Sequence, residues 1–229
     1  MVQEFNYDKA DDRNSSGGQK LEFRLIYQGT LPAASQSNTR TAEKHALRKH
    51  FHLQLRELWK QHPDLRTQSK QKYFVSESGI VLAQSDTPGA ETWLEHIAAD
   101  HIRCDGNRFV PLISVAGGFT CTLNILFLRR DNPGNLIDHK GDIDNRIKVL
   151  FDGLRLPRDV KELGGYTIDS DEDPFFCLLE DDSLITSVTV TTDRLILPLE
   201  SDRGLADVML LIHVIMQNPS AVFAGGRLV

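Results

Sequence analysis

Paired carboxylates occur at two places in the sequence, each directly before a predicted element. Asp142 and Asp144 stand in front of an apolar pattern with the 0, +3, +4, +7 spacing of a helix that packs on one side. That pattern consists of Ile147, Leu150, Phe151 and Leu154. It places Asp144 where an N-cap residue belongs. Asp181 and Asp182 directly precede residues 184–192, whose alternation predicts a strand.

Carboxylates at the ends of rigid elements are candidate ligands for a hard divalent cation. When such groups come together they repel one another, and the repulsion costs several kcal/mol unless a cation neutralises it. Ligands that offer oxygen alone favour Mg²⁺, with Mn²⁺ as the alternative. A bound ion of this kind can activate water and stabilise charge on a scissile phosphate. The plainer interpretation is that Asp144 only caps a helix and that Asp181 and Asp182 only form a turn.

A lysine lies one helical turn beyond the first carboxylate pair. Asp144, Lys148 and Asp152 recur every four residues, so they form one row on the polar side of the predicted helix. Lys148 could balance charge on a phosphate under attack or orient the attacking water. Its alternative role is an ordinary ion pair with Asp144 or Asp152, and we expect Asp152 to be its partner.

Positive charge is concentrated between Arg40 and Lys72. This stretch holds nine Lys/Arg against three Asp/Glu, although the whole chain has a net charge of -6. A segregated basic segment suits a protein that grips phosphates. The candidate DNA-contacting residues are Arg40, Lys44, Arg48, Lys49 and Arg146. A solvated helix face is the simpler alternative, and the histidines at 45, 50, 52 and 62 are expected to be solvated or to contact phosphate.

The order of the predicted elements indicates an α+β fold. Strands are predicted at 21–27, 73–75, 80–82, 109–115, 119–127, 184–192 and 208–216, and helices at 41–62, 91–101 and from Ile147. We expect one mixed β-sheet with two or three helices packed on it. Residues 1–20 and 218–229 are predicted tails, 21–217 a single domain, and 155–176 an irregular stretch.

Composition narrows the class of protein. No apolar run is long enough for a membrane span, and the first residues lack the pattern of a secretory signal. Cys104, Cys121 and Cys177 are odd in number and far apart, which predicts three reduced thiols in a cytoplasmic protein.

The acidic motifs and their order resemble the RusA family of Holliday junction resolvases. The resemblance rests on Asp142-x-Asp144-Asn145, then Lys148, Asp152 and Leu154, followed by Asp181-Asp182-Ser183 and an alternating strand. It covers roughly residues 119–216, with a fainter match over 21–37. Residues 40–116 fall outside it and are interpreted as an inserted or divergent region within the domain.

The resemblance implies a RusA-like fold and a Mg²⁺-dependent endodeoxyribonuclease that acts as a homodimer on branched double-stranded DNA, in recombination and repair. By position, Asp142, Asp144 and Asp182, with Asp181 beside it, would bind the metal, and Lys148 would be catalytic. The enlarged regions at 40–116 and 155–180 leave these residues intact but put junction specificity in question. The alternative is a non-catalytic DNA-binding or regulatory protein that retains the fold.

Overall fold

The computed structural model describes residues 21–34, 40–76, 79–82, 89–130, 143–196 and 207–218, with the backbone alone for 73–76 and 79–82. The α-helices are α1 (Thr41–Gln61), α2 (Pro63–Lys70), α3 (Trp93–Asp100) and α4 (Ile143–Leu154). The first six strands are β1 (Glu22–Thr30), β2 (Lys72–Ser76), β3 (Gly79–Leu82), β4 (Glu91–Thr92), β5 (Ile102–Arg103) and β6 (Asn107–Ile113). The others are β7 (Thr120–Arg129), β8 (Phe175–Leu179), β9 (Ile185–Arg194) and β10 (Asp207–Gln217). Short 3-10 turns occupy Val160–Leu163, Ser170–Glu172 and Asp182–Leu184.

The largest sheet has four strands in the order β1-β10-β7-β9. The central strand β10 pairs antiparallel with β1 and β7, whereas β9 runs parallel to β7. Alternate residues of β7 and β10 are buried, because one face of each strand meets the helices. The predicted α+β class with a mixed sheet is confirmed.

Two smaller sheets were not anticipated. One has the order β3-β2-β4, and the other joins β5, β6 and β8, with β6 and β8 parallel. The described residues therefore form three sheets and four α-helices, where one sheet and two or three helices were expected. Strand β8 falls at the end of the stretch predicted to be irregular. Its sequence, FFCLL, is buried at every position, so it lacks the alternation by which strands are recognised.

Helix α1 belongs to the same hydrophobic core as the large sheet. Leu47, Phe51 and Leu55 are buried in one cluster with residues of β1, β7 and β10. The region 40–116 thus contributes part of the main core. Helix α1 begins after Arg40, which has a left-handed backbone and provides no side-chain cap. Pro63 starts the next helix, as its fixed φ angle favours.

Helix α4 has the predicted amphipathic packing. Ile147, Leu150 and Leu154 are buried, and Gly153 lies so close to α1 that a Cβ at this position would be 2.8 Å from the Leu47 Cβ. The helix begins at Ile143, so Asp144 lies in its first turn, and the prediction that Asp144 is the N-cap residue is wrong.

The three cysteines are buried and unbonded, as predicted. Among the described residues, no helix combines the length and apolar character that crossing a membrane requires.

Candidate metal centre

The first turn of α4 carries Asp144, which is the residue of the first carboxylate pair that the structure describes. Lys148 Nζ lies 2.7 Å from Asp144 Oδ2, and the two side chains are 63% and 62% exposed. The helix positions both, because residues four apart lie on one face and a carboxylate near an N-terminus is favoured by the helix dipole. Asp142 lies outside the described residues. The structure therefore brings Asp144 and Lys148 together on an open surface.

The second carboxylate pair forms the turn between β8 and β9. Asp181 Oδ1 accepts a hydrogen bond of 3.0 Å from the Ser183 backbone N–H, which caps the short turn Asp182–Leu184. Arg158 Nη2 lies 3.3 Å from Asp181 Oδ2 and 3.8 Å from Asp182 Oδ1. Hydrogen bonds from Ser183, with a smaller contribution from Arg158, lower the pKa of Asp181 to about 2. Asp181 is thus held as a carboxylate by local partners, and Asp182 is the less engaged of the two.

Helix α4 and the Asp182–Leu184 turn are neighbours in the fold. The two elements contact each other, and the segment after α4 is joined to β8 by a hydrogen bond of 2.9 Å from the Leu156 N–H to the Leu179 carbonyl. The acidic turn follows β8 directly. The fold therefore carries Asp144 and Asp182 on adjacent elements, and their use in one shared site stays a prediction.

The carboxylate oxygens of Asp144 and Asp182 are ligands of the kind that a hard divalent cation prefers. Asp144 and Asp182 offer oxygen ligands on the surface, and their charges are compensated by Lys148 and Arg158. Exposed ion pairs of this kind contribute about 0–1 kcal/mol, so a dication can replace them. Within the described part of the chain, no group of three or more His, Cys, Asp or Glu side chains is placed to hold a metal ion. Any complete ligand set would therefore need residues outside the described ranges, and Asp142 is the one that the motif predicts.

Asp152 does not have the predicted partner. Its Oδ2 lies 2.7 Å from Lys44 Nζ of α1, and its Oδ1 accepts a bond of 2.7 Å from Arg155 Nη2. Burial opposes ionisation of Asp152, but the bonds from Lys44 and Arg155 outweigh it and lower the pKa of this carboxyl. Asp152 joins α4 to α1, so the expectation that it pairs with Lys148 is wrong.

Two of the predicted DNA-contacting arginines are buried. Arg48 is 1% exposed, and it donates to the backbone carbonyls of Arg155, Glu162 and Asp152 at 2.9, 3.1 and 2.7 Å. Arg146 is also buried. Since both side chains are buried, the prediction that Arg48 and Arg146 contact DNA phosphates is corrected.

The remaining predicted DNA contacts have carboxylate partners. Arg40 pairs with Glu43 at 3.1 Å, and Lys49 pairs with Glu172 at 3.0 Å. Lys44 is the partner of Asp152 described above. A phosphate contact by Arg40, Lys44 or Lys49 stays a prediction, and it would have to replace these bonds.

Two histidines of α1 are also internal. His45 and His52 are fully buried, and both flank Phe175, with ring centroids 6.0 and 4.4 Å from it. Burial lowers the pKa of each imidazole to about 4. The expectation that these histidines are solvated or contact phosphate is therefore wrong for His45 and His52.

Sequence reasoning missed Arg155, Arg158 and Glu162. Arg155 donates to both Asp152 and Glu162, and Arg158 is the cation beside the acidic turn. These residues lie in the stretch predicted to be irregular, where no periodicity distinguishes an internal charge from a solvated one.

Comparison of the chain with protein-family models, with curated proteins and with solved structures gave no match.

Proposed function

We propose that this protein is a Mg²⁺-dependent endodeoxyribonuclease that hydrolyses phosphodiester bonds in branched DNA. The observation that carries the proposal is the contact between α4, which presents Asp144 and Lys148, and the turn that contains Asp182. A metal-dependent hydrolytic site of this type needs carboxylates from two elements to hold the ion, with a positively charged side chain beside them. The resemblance of the same residues to the RusA motifs gives the substrate class.

In this proposal Asp144 and Asp182, together with Asp142, hold the metal, and Asp181 supports the turn. Held by these carboxylates, such an ion would activate a water molecule and offset charge on the scissile phosphate. Lys148 exchanges its bond with Asp144 for a contact with the phosphate, where its ammonium favours the transition state. A homodimer presents two such sites to a two-fold symmetric junction. The three unbonded thiols suit a cytoplasmic location.

The experiment is incubation of the protein with an end-labelled four-way junction, with and without Mg²⁺. We expect cleavage only with the metal, and we expect Asp144→Asn to abolish it. Asp193→Asn is the matched control, because Asp193 is an exposed carboxylate at the far end of β9. Cleavage at the wild-type rate by the Asp144→Asn protein would remove Asp144 from the mechanism, and inactivity of the wild type would contradict the proposed function.

One observation favours a second candidate, a DNA-binding protein that does not cleave. Lys148 and Arg158 already compensate the carboxylates that would hold the metal. If those pairs persist when DNA is bound, the protein would bind a junction without turnover. Binding of the junction that is unaffected by Mg²⁺, with no product, would identify this case.

A further inference from the structure

Helix α2 carries two exposed cations on one face. Arg66 and Lys70 are four residues apart, so their side chains project from neighbouring positions on the helix surface. Within the described part of the chain neither takes part in an ion pair. Asp64, in the first turn, is the acidic residue of α2, and no Asp or Glu occurs in the sequence from 65 to 76. We call Arg66 and Lys70 the α2 basic patch.

The cations of α1 and its N-cap are engaged elsewhere in the molecule. The lysines Lys44, Lys49 and Lys60 pair with Asp152, Glu172 and Glu57. The arginines Arg40, Arg48 and Arg56 bond to Glu43, to three carbonyls and to the Asp171 carbonyl. Each of these cations therefore has a protein partner, whereas Arg66 and Lys70 of α2 form no ion pair among the described residues.

The α2 basic patch and the candidate metal centre lie on different elements. Helix α2 follows the C-terminal end of α1 and contacts α1 and α3. The candidate metal centre is carried by α4 and by the turn after β8. A contact of DNA with α2 would therefore be additional to any contact at the carboxylates.

The chemistry of α2 favours a polyphosphate over a membrane surface. Leu65, the apolar residue of this helix, is packed into the main core and offers nothing to insert into lipid. The Thr67 and Ser69 hydroxyls bond to backbone carbonyls of the helix itself. What remains at the surface is charge, which binds phosphates without regard to base sequence.

We propose that the α2 basic patch binds backbone phosphates of a duplex DNA arm, away from the scissile bond. This inference rests on the proposed function, and it names a contact surface in the region that does not resemble the RusA family. Arg66 and Lys70 are positioned by the packing of Leu65, and each neutralises one phosphate when DNA is bound.

The test is the salt dependence of junction binding, measured without Mg²⁺ by fluorescence anisotropy. The double variant Arg66→Gln/Lys70→Gln is compared with Arg24→Gln/Lys161→Gln, which removes two exposed cations elsewhere and gives the same net charge. We expect the slope of log K against log salt to fall by about 1.8 in the α2 variant, because two phosphate contacts are lost. We expect the control variant to keep the wild-type slope.

The other possible results contradict the inference, and they differ in whether the proposed function is contradicted as well. Binding by the wild type with an unchanged slope in the α2 variant overturns this inference alone. An equal loss of slope in both double variants shows a net-charge effect and also overturns it. Absence of DNA binding by the wild type overturns the inference and the proposed function together. Binding to phosphatidylserine vesicles that depends on Arg66 and Lys70, with DNA binding unchanged, assigns the patch to a lipid surface instead.

Discussion

Lys148 Nζ and Asp144 Oδ2 lie 2.7 Å apart across one turn of α4, on a surface where both side chains are largely exposed. An exposed pair of this kind contributes about 0.3–0.5 kcal/mol to stability. Such a weak bond can be exchanged for a metal ion at Asp144 and a phosphate at Lys148. The pair therefore contributes little to the stability of the fold, and both side chains can bind other groups.

The first prediction separates these two roles for Lys148. Lys148→Met should change the free energy of unfolding by less than about 0.5 kcal/mol, because the ion pair is exposed. It should lower the rate of junction cleavage at least about 100-fold, because a charge that stabilises the transition state is lost. Urea unfolding and single-turnover cleavage measure the two effects. Lys60→Met is the control, since Lys60 forms a similar exposed pair with Glu57. A large loss of stability with full activity would show that Lys148 is structural.

The second prediction concerns the buried guanidinium of Arg48. Arg48→Met should destabilise the protein by about 2–4 kcal/mol, because the carbonyls of Asp152, Arg155 and Glu162 lose their donor. The midpoint of urea unfolding measures this change, and Lys60→Met on the same helix should cost less than about 0.5 kcal/mol. Equal stability of the two variants would contradict the internal role of Arg48.

The third prediction tests the close contact between α1 and α4. Alanine is favoured over glycine within a helix by about 1 kcal/mol, but the added Cβ of Gly153→Ala would lie 2.8 Å from the Leu47 Cβ. Overpacking between two helices costs about 1–3 kcal/mol, so we expect net destabilisation measured by thermal unfolding. A rise in melting temperature would mean that the two helices are farther apart than described.

The fourth prediction follows from the buried histidines. The pKa of His45 is about 4 in the folded protein and about 6.5 in an unfolded chain, so the unfolded state binds more protons between these values. Stability is therefore full above pH 6.5 and falls as the pH is lowered toward 4, by on the order of 2 kcal/mol for this residue. His45→Phe should lose less stability than the wild type between pH 7 and pH 4.5 in urea titrations.

The control for this prediction is Leu53→Gln, which changes an exposed residue of the same helix that does not titrate. Its unfolding midpoints should follow the pH dependence of the wild type. If the His45→Phe protein showed that same dependence, His45 would not be neutral in the folded state.

Local sequence patterns were sufficient for several parts of this fold. The spacing from Ile147 to Leu154 predicted α4, and the helix predicted at 41–62 corresponds to α1, in which Leu47, Phe51 and Leu55 are buried. One buried face imposes the 3.6-residue period on both helices. The apolar run at 208–216 predicted the central strand β10 for the corresponding reason. The periodicity of apolar residues shows which face of an element is buried. These elements were predictable because each packs its apolar face against the rest of the core.

The same patterns could not predict which charged side chains are buried. Arg48 is polar in any sequence scale, but the carbonyls that accept its bonds come from residues 152–162, which are remote in the sequence. Asp152 fits the row of Asp144 and Lys148 equally well, yet the packing of α1 beside it supplies Lys44 as its partner. The candidate site was recognised from motif order alone, and its long-range ion pairs required the tertiary structure.

The proposal that α4 and the Asp181–Asp182 turn form one catalytic metal site can be tested by a double-mutant cycle on single-turnover junction cleavage. The cycle compares Asp144→Asn, Asp182→Asn and the double variant at fixed Mg²⁺. If both carboxylates serve one site, each single variant should lose at least about 100-fold in rate, and the double variant should lose little more. Full activity of either single variant, or losses that multiply in the double variant, would contradict a shared site.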